Sequence, residues 1–229
     1  MLDAEWDEKM PGTELDRLLA QGWYRMGLSV FTSDFIDFNE KYYRTIWLRY
    51  DLTEPIFGKT WRKLLGRNKG FRLVFSEATH TEEQAYLFRI YRNAMSFEPA
   101  HSIEHLLFDG FDDSFNPFQT MQVCVFDKEK LLGCSYFDLG ETSVAGISSF
   151  YDPAYQSCSL GIFLIYCQML YVQQRGFRFY YPGYFIPHYS HFDYKLRIAK
   201  QAQYFYHPRD KKWMSMQFWE DIPLPLPLR

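Results

Sequence analysis

The pattern of apolar and polar positions in the second half of the chain includes three consecutive strand-like runs. They read "TMQVCVFD" (120–127), "LLGCSYFDL" (131–139) and "TSVAGISSFY" (142–151), with "KEK" and "GE" between them. Runs of this kind, separated by short polar breaks, predict a meander of β-hairpins. The apolar stretch after Ser159 continues to Gly176 and predicts a long helix that Ser159 caps. "FRFYY", "AQYFYH" and "KWMSMQFW" predict three further strands.

The first half contains helical patterns with recognisable start signals. Thr13 to Asp16 resembles a capping box, and Thr81 to Gln84 forms a second one. Ser102 is placed to cap a shorter helix. "GKTWRKLLGRNKG" (58–70) predicts a helix with one apolar face, surrounded by lysine and arginine.

Strict alternation from Tyr43 to Leu52 predicts a half-buried strand, and "FRLVF" predicts another. Three antiparallel strands, a helix and a further strand indicate an α+β fold, a mixed sheet with flanking helices. This order is that of the GCN5-related acyltransferase core. We expect one unit over residues 1–229, with tentative halves at 1–115 (N-terminal region) and 116–229 (acyltransferase-like core).

Composition narrows the function without fixing it. Aromatic residues make up 20% of the chain, which fits either an aromatic core or a set of stacking platforms. The net charge of −3 argues against a chain coated by nucleic acid, but a local basic face can still bind phosphate. The four cysteines form no C-x-x-C pair, which favours reduced thiols. Without a signal or membrane-spanning segment, we expect a cytoplasmic protein.

The segment "SSFYDPAYQSCSLG" (148–161) joins the predicted meander to the long helix. A strand, a turned loop and a helix N-terminus often form an anion site, because the first helical N–H groups lack intrahelical acceptors. Coenzyme A users of this fold carry Gln/Arg-x-x-Gly-x-Gly/Ala here. In this chain Gly161 is the first glycine after Gln156 and comes too late for the first glycine of that motif. The coenzyme A fingerprint is therefore absent.

Several short motifs occur in one order along the chain: "GWYRMG" (22–27), "KTWRKLLGRN" (59–68), "FYDP" (150–153), "SLG" (159–161), "YYPGY" (180–184) and "YK" (194–195). Together they resemble the arginyl-tRNA–protein transferase family, which is related to bacterial leucyl-tRNA–protein transferases. The departures are Tyr24 and Met26 in the first motif, and the lack of the family's cysteine cluster in "FTSDFIDFNEKYY". We therefore carry over no metal or iron–sulfur site, and interpret His188 and His191 as loop histidines.

The resemblance implies transfer of an amino acid, arginine or a similar one, from aminoacyl-tRNA to the N-terminal α-amine of an acceptor protein. The ester is already activated, so the reaction needs positioning, oxyanion stabilisation and a base, with no cofactor beyond the charged tRNA. Tyr181 and Tyr184 would bind the ester or the acceptor, or else serve as sheet-face aromatics. Asp152 would hold the donor amine or relay a proton, or else form an Asp-Pro turn.

The remaining candidates would bind the substrates. The resemblance implies that the helix start at Ser159 and Gly161 binds the 3′ end of the donor. It also implies that the tRNA acceptor end is bound by Lys195 and by the basic helix that ends at Asn68, with Lys59, Arg62, Lys63 and Arg67. Such basic runs are often only solvated helix faces. Trp23 would be a stacking platform or a core residue, and Arg25 would pair with an acidic acceptor or with phosphate. Two alternatives remain: a coenzyme A-dependent N-acyltransferase of the same fold, and a non-catalytic relative that binds tRNA or protein N-termini.

Overall fold

Two small sheets precede the main sheet. The structure is a computed structural model that describes residues 2–5, 8–38, 41–95, 100–110, 115–187, 189, 192–207 and 209–221. His188 and His191 thus lie outside the described residues. The first small sheet has the order β1-β3-β2, and the second is a hairpin of β4 and β5. Their bounds are β1 (Leu2–Glu5), β2 (Tyr24–Met26), β3 (Ser29–Thr32), β4 (Phe35–Phe38) and β5 (Lys41–Arg44).

The main sheet has eight strands in the order β13-β12-β6-β11-β10-β9-β8-β7. Their bounds are β6 (Ile46–Asp51), β7 (Arg72–Glu77), β8 (Thr120–Asp127), β9 (Lys130–Leu139), β10 (Ser143–Tyr151), β11 (Phe179–Phe185), β12 (Gln203–His207) and β13 (Lys212–Ser215). β10 and β11 are parallel and the other neighbours are antiparallel. The predicted meander is confirmed as β8, β9 and β10. Strands on both sides of residue 115 interleave in this one sheet.

Five helices flank this sheet in the described part of the chain: α1 (Gly12–Ala20), α2 (Lys59–Asn68), α3 (Glu82–Asn93), α4 (Ile103–Phe108) and α5 (Leu160–Gln173). The predicted capping box of α3 is confirmed, because the Thr81 side chain accepts from Gln84 N while the Gln84 side chain accepts from Thr81 N. Ser102 caps α4 as predicted. The α1 box is wrong. That helix begins after Pro11, and Asp16 accepts hydrogen bonds from the Thr142 and Ser143 backbone instead.

The helices cover both faces of the main sheet. α2 and α5 pack on the face that carries Phe137 and Val144. Because successive residues of a strand point to opposite faces, Ala145 belongs to the other face, where it packs against α1. α3 and α4 pack there against Tyr136 and Phe150. α5 contains no charged residue and is buried almost all round, as expected for a helix that is apolar on every side.

The strand predicted as half-buried is buried on both faces. It divides into β5 and β6, and β6 lies inside the sheet between β11 and β12. Trp47, which the alternation places on the polar side, is 5% exposed and packs with Tyr24, Phe31 and Tyr184. The alternating pattern thus predicted the strand correctly, but it did not predict that both faces of the strand are buried.

β10 and β11 part soon after they meet. They pair from Ser143 opposite Phe179 to Ala145 opposite Tyr181, and both strands then become irregular. The Tyr24 hydroxyl lies where they part and bonds the carbonyl oxygens of Gly146 and Tyr181, the latter at 3.1 Å. One phenol thus spans the two strands at the point of separation.

Arg25 holds the first small sheet to the main one. Its guanidinium donates to the Asp138 carboxylate at 2.8 Å, and neither side chain has any exposed surface. It also donates to Thr120 Oγ1 and to the carbonyl oxygens of Leu107 and Gly27. The prediction that Arg25 contacts phosphate or an acceptor is therefore corrected, because its donors are used inside the fold.

Replacing Arg25 with Met leaves the Asp138 carboxylate buried without its counterion. We expect the free energy of unfolding to fall by about 3–5 kcal/mol in urea titrations. The matched control is Arg17→Met, which removes an exposed pair with Glu14 at 2.6 Å and should change stability by about 0–1 kcal/mol. Equal losses in the two variants would contradict a structural role for the buried pair.

Candidate functional site

A cavity of about 660 Å³ opens along β10 after that strand has left β11. It lies between α3 and the start of α5, and a segment after β11 forms its far wall. The lining residues are Phe88, Tyr91, Ala94, Met95, Ala100, Leu106, Ile147, Ser148, Ser149, Tyr151, Gln156, Ser159, Gly161, Ile162, Ile165, Phe192 and Tyr194. The predicted junction therefore does border a cavity, at the place where the sheet is open.

The start of α5 presents its backbone to this cavity. The first bond within the helix runs from Phe163 N to Ser159 O, so the N–H groups of the preceding turn have no intrahelical acceptor. Gly161 lies in that turn and lines the cavity. A Cβ at Gly161 would stand 3.1 Å from Cε1 of Tyr151, so glycine allows the strand end and the helix start to approach closely.

Ser159 acts differently from its prediction. It adopts a left-handed backbone conformation (φ 54°) after a 3-10 helix over Pro153–Cys158, and its side chain makes no capping bond. Its hydroxyl accepts a hydrogen bond from Arg67 Nη1 at 2.9 Å. Ser159 also lines the cavity, so this bond brings the end of α2 to the cavity mouth.

α2 presents a basic face, which we define as Lys59, Arg62, Lys63, Arg67 and Lys69, all of them exposed. Trp61 and Leu64 on its other side are buried against α5. Asn68 is buried, and its amide donates to the carbonyl oxygens of Leu64 and Cys158. Asn68 therefore fixes the end of α2 to the junction, while Arg62 and Arg67 remain accessible from outside.

Asp152 forms the turn that leads into the junction. Its carboxylate accepts from Ala154 N at 2.9 Å and from Lys130 Nζ at 2.8 Å. Burial opposes the charged form, but these two bonds outweigh it and lower the pKa of Asp152. Asp152 does not line the cavity. The role as an Asp-Pro turn former, the alternative given for Asp152, accounts for all these contacts.

Neither of the two predicted tyrosines is among the lining residues of the cavity. Tyr181 is buried with α1, and its ring centroid stands 5.4 Å from that of Trp213. Tyr184 is half-buried, and its ring stands 5.5 Å from that of Phe192, which does line the cavity. Burial raises the pKa of both phenols. The wall expected from Tyr184 is thus formed by Phe192 and Tyr194 instead.

Two other predicted site residues are inside the fold. Trp23 is half-buried and packs against the apolar cluster around α1. Lys195 is buried, and its ammonium donates to the Tyr184 carbonyl oxygen at 2.7 Å. Burial lowers the pKa of Lys195 to about 7. The expected contact of Lys195 with tRNA phosphate is corrected, because the residue is buried and its ammonium is bonded to the main chain of β11.

Sequence reasoning missed the wall formed by α3. Phe88, Tyr91 and Met95 recur at helical spacing, which predicts a helix and no cavity wall. No signal in the sequence shows that this face meets the open side of β10. The lining found in the described residues contains no charged side chain and no histidine. The same described ranges contain no group of three or more His, Cys, Asp or Glu that could hold a metal ion.

Comparison with known proteins identifies similar chains. The sequence family described as "Arginine-tRNA-protein transferase, C terminus" matches residues 83–206. A protein of Leptospira interrogans named aspartate/glutamate leucyltransferase is 28% identical over 153 residues, which are 64% of this chain. A protein of Nitrobacter hamburgensis with the same name is 26% identical over 210 residues, covering 83% of this chain and 76% of that protein. The chain spans 58% of the length of the Leptospira protein.

A solved structure shares the fold. The crystal structure of FemX superposes with a TM-score of 0.51 at 11% sequence identity, over 96% of this chain and 74% of that one. The predicted acyltransferase-like architecture is thus confirmed. Over the described residues, no helix combines the length and apolar character needed to cross a membrane.

Replacing Asn68 with Ala removes the amide that joins α2 to the junction and leaves the partly buried Cys158 carbonyl oxygen without this donor. We expect a loss of about 1–3 kcal/mol in the free energy of unfolding, measured by urea titration. Lys69→Ala, at the exposed next position, should change stability by less than about 0.5 kcal/mol. An Asn68→Ala protein as stable as the Lys69→Ala control would show that this bond does not hold the junction.

Proposed function

The chain belongs to the family of the arginine-tRNA-protein transferase C terminus, and from this premise we propose that it transfers an amino acid from aminoacyl-tRNA to a protein N-terminus. In the proposed reaction the α-amine of the acceptor attacks the ester of the charged tRNA, and a peptide bond forms. One observation carries the proposal: a cavity whose described lining has no charged side chain begins at the first-turn amides of α5 and has a basic helix at its mouth.

The cavity would hold the aminoacyl end of the donor. A volume of about 660 Å³ is within the range of small-molecule sites. The first-turn amides of α5, around Gly161, would donate to the terminal phosphate or to the ester oxygen as charge develops there. Because the ester is already activated, positioning and this stabilisation supply most of the chemistry, and the proposal needs no further cofactor.

The basic face of α2 would hold the tRNA acceptor end. Its exposed cations are grouped on one helix although the chain carries a net charge of −3. Arg67 is of particular interest because its guanidinium already meets Ser159 at the cavity mouth. A phosphate bound there would lie directly outside the aminoacyl cavity. We therefore retain Arg62, Arg67, Ser159 and Gly161 as substrate-binding residues in the proposal, and a cytoplasmic location goes with a tRNA donor.

The lining favours an apolar amino acid over the arginine expected from sequence. An arginyl side chain would bury a guanidinium, and the lining described above offers no carboxylate to pair with it. A buried unpaired charge is strongly unfavourable, whereas a leucyl side chain would meet Ile147, Ile162 and Ile165. The relatives are named aspartate/glutamate leucyltransferases. We therefore propose a leucyl or similar donor and an acceptor with N-terminal Asp or Glu.

An amino acid transfer assay tests both the proposed reaction and the identity of the transferred amino acid. We expect leucyl-tRNA to extend a peptide with N-terminal Glu by one residue, detected by mass spectrometry, and arginyl-tRNA to be at least about tenfold less effective. The same peptide with an acetylated α-amine is the control and should not react.

Several outcomes would contradict this proposal. Preferred use of arginyl-tRNA would reverse the amino acid assignment. Modification of the peptide by acetyl-coenzyme A would support the acyltransferase alternative. Binding of tRNA with no extension from any charged tRNA would indicate the non-catalytic relative.

Replacing Arg62 and Arg67 with Ala should weaken tRNA binding and flatten its salt dependence. Each lost phosphate contact lowers the slope of log K against log salt by about 0.7–0.9, so we expect a decrease of about 1.4–1.8 in filter-binding titrations. Arg17→Ala on α1, an exposed arginine on the other side of the sheet, is the matched control. An unchanged slope would show that Arg62 and Arg67 of the basic face do not contact the tRNA.

A further inference from the structure

Lys195 is a buried amine with a single polar contact for its ammonium in the part of the chain that the structure describes. Nζ donates to the Tyr184 carbonyl oxygen at 2.7 Å. Three aromatic rings surround it, with centroids 5.3 Å (Phe192), 5.5 Å (Tyr184) and 5.9 Å (Tyr194) from Nζ. Within the described ranges no carboxylate forms an ion pair with Lys195. A lysine in this position is not explained by charge pairing.

Nζ lies where β10 and β11 part. Gly183 of β11 has φ +86°, and a Cβ there would stand 3.4 Å from Lys195 Nζ and 3.7 Å from Cζ of Tyr24. Tyr24 is the phenol that spans the two strands at their separation. The lysine amine, the irregular turn of β11 and the bridging phenol thus meet at the open point of the sheet.

The amine also lies directly behind the cavity wall. Phe192 and Tyr194 line the cavity, and both rings are within 6 Å of Nζ by their centroids. Among the described residues that line the cavity there is no lysine, carboxylate or histidine, so Lys195 is the amine next behind this wall. Asp152, which the sequence suggested for holding the donor amine or relaying a proton, is bonded to Lys130 and is not among the lining residues.

The groups that face Lys195 leave its charge uncompensated. Four tyrosines lie close to Lys195. Its ammonium donates to the carbonyl oxygen of Tyr184 in β11, and the side chains of Tyr24 and Tyr194 lie near its amine. The hydroxyl of Tyr50 in β6 donates to the Lys195 carbonyl oxygen at 2.8 Å. Burial raises the pKa of all four phenols, so none supplies a negative charge near neutral pH. The same burial lowers the pKa of Lys195 to about 7, so much of it is a neutral amine there.

We propose that the Lys195 amine accepts the proton that the acceptor α-ammonium must lose before it attacks the aminoacyl ester. This inference rests on the proposed function and adds a proton-accepting residue to it. Transfer occurs directly or through one water, as is usual for a general base. This proton-accepting role replaces the phosphate contact that the sequence predicted for Lys195.

The step balances as follows. The neutral Lys195 amine takes one proton from the acceptor ammonium and becomes an ammonium. The freed nitrogen lone pair forms a C–N bond with the ester carbonyl carbon, and the C–O bond to the ribose breaks. The Lys195 ammonium returns its proton to the leaving ribose oxygen, and the second proton of the attacking nitrogen passes to water. The products are the extended peptide, uncharged tRNA and one released proton.

Two acceptors distinguish this role from a structural one. Single-turnover rates are measured with pre-charged tRNA, once with a Glu-peptide and once with hydroxylamine, a nucleophile that does not have to lose a proton first at neutral pH. We expect Lys195→Met and Lys195→Arg to lower the peptide rate about 100-fold or more and to affect the hydroxylamine rate far less. Lys200→Met, at an exposed lysine nearby in sequence, should leave both rates unchanged.

Equal loss of both rates would mean that Lys195 only supports the fold, and no loss with the peptide would also overturn the proposal. If wild-type protein transfers from no charged tRNA to either acceptor, the proposed function itself fails, and the proton-accepting role fails with it. The two failures are therefore distinguishable, since the first two outcomes require an active wild type.

A stability measurement checks the state of the amine without any transfer. The pKa of Lys195 is about 7 in the folded protein and its ordinary value is 10.5, so the unfolded chain binds the extra proton between these pH values. The wild type should therefore lose stability relative to Lys195→Met as pH falls from about 10 to about 7, measured as the difference in Tm. Lys200→Met should show no such trend. A flat difference for Lys195→Met would show that the amine is charged throughout and would overturn the proposal.

Discussion

Two parallel strands that separate after three residue pairs set the arrangement of everything around the site. β10 and β11 share hydrogen bonds only from Ser143 to Ala145, and the Tyr24 hydroxyl occupies the point of separation. Because β10 then has no strand on that side, α3 and α5 meet along it and enclose the cavity. The same separation brings Gly183 and Lys195 beside the opening. Backbone groups that a continuous ladder would use for pairing become available to a hydroxyl and an amine instead.

Several buried polar contacts build the frame of the fold, while the part of the cavity lining that the structure describes carries no charge. Arg25 and Asp138 join a small sheet to the main one, Asn68 ties α2 to the junction, and Asp152 shapes the turn before α5. Buried polar groups need partners, so each of these side chains is committed to the fold. The described lining is aromatic and aliphatic with a few neutral polar groups, and the exposed cations lie outside it on α2. This separation suits a donor whose phosphates are charged and whose acyl group is buried.

Most of the architecture was accessible from the sequence because local signals and hydrophobic periods agree. The meander, the α3 capping box and the long apolar helix were predicted and are confirmed. The small sheets and the 3-10 helix over Pro153–Cys158 were missed, since strands of three or four residues leave too short a period to recognise. Of the expected site residues, Ser159 and Gly161 line the cavity, and Arg67 reaches its mouth. Ser159 and Gly161 belong to the local strand–turn–helix motif, and Arg67 belongs to the basic helix, so each was accessible from a short stretch of sequence.

The sequence by itself determined the α+β class, the order of the elements, the basic face of α2 and the position of the junction. It did so because these depend on residues that are close together along the chain. Only the tertiary structure decided that Arg25, Asp152 and Tyr181 serve the fold, and that Phe192 and Tyr194 form the cavity wall. The depth at which a side chain lies, and which distant strand end it meets, depend on contacts between segments far apart in sequence. Lys195 shows this most clearly. Its sequence context indicates a charged surface lysine, but burial in the folded chain lowers the pKa of its amine to about 7.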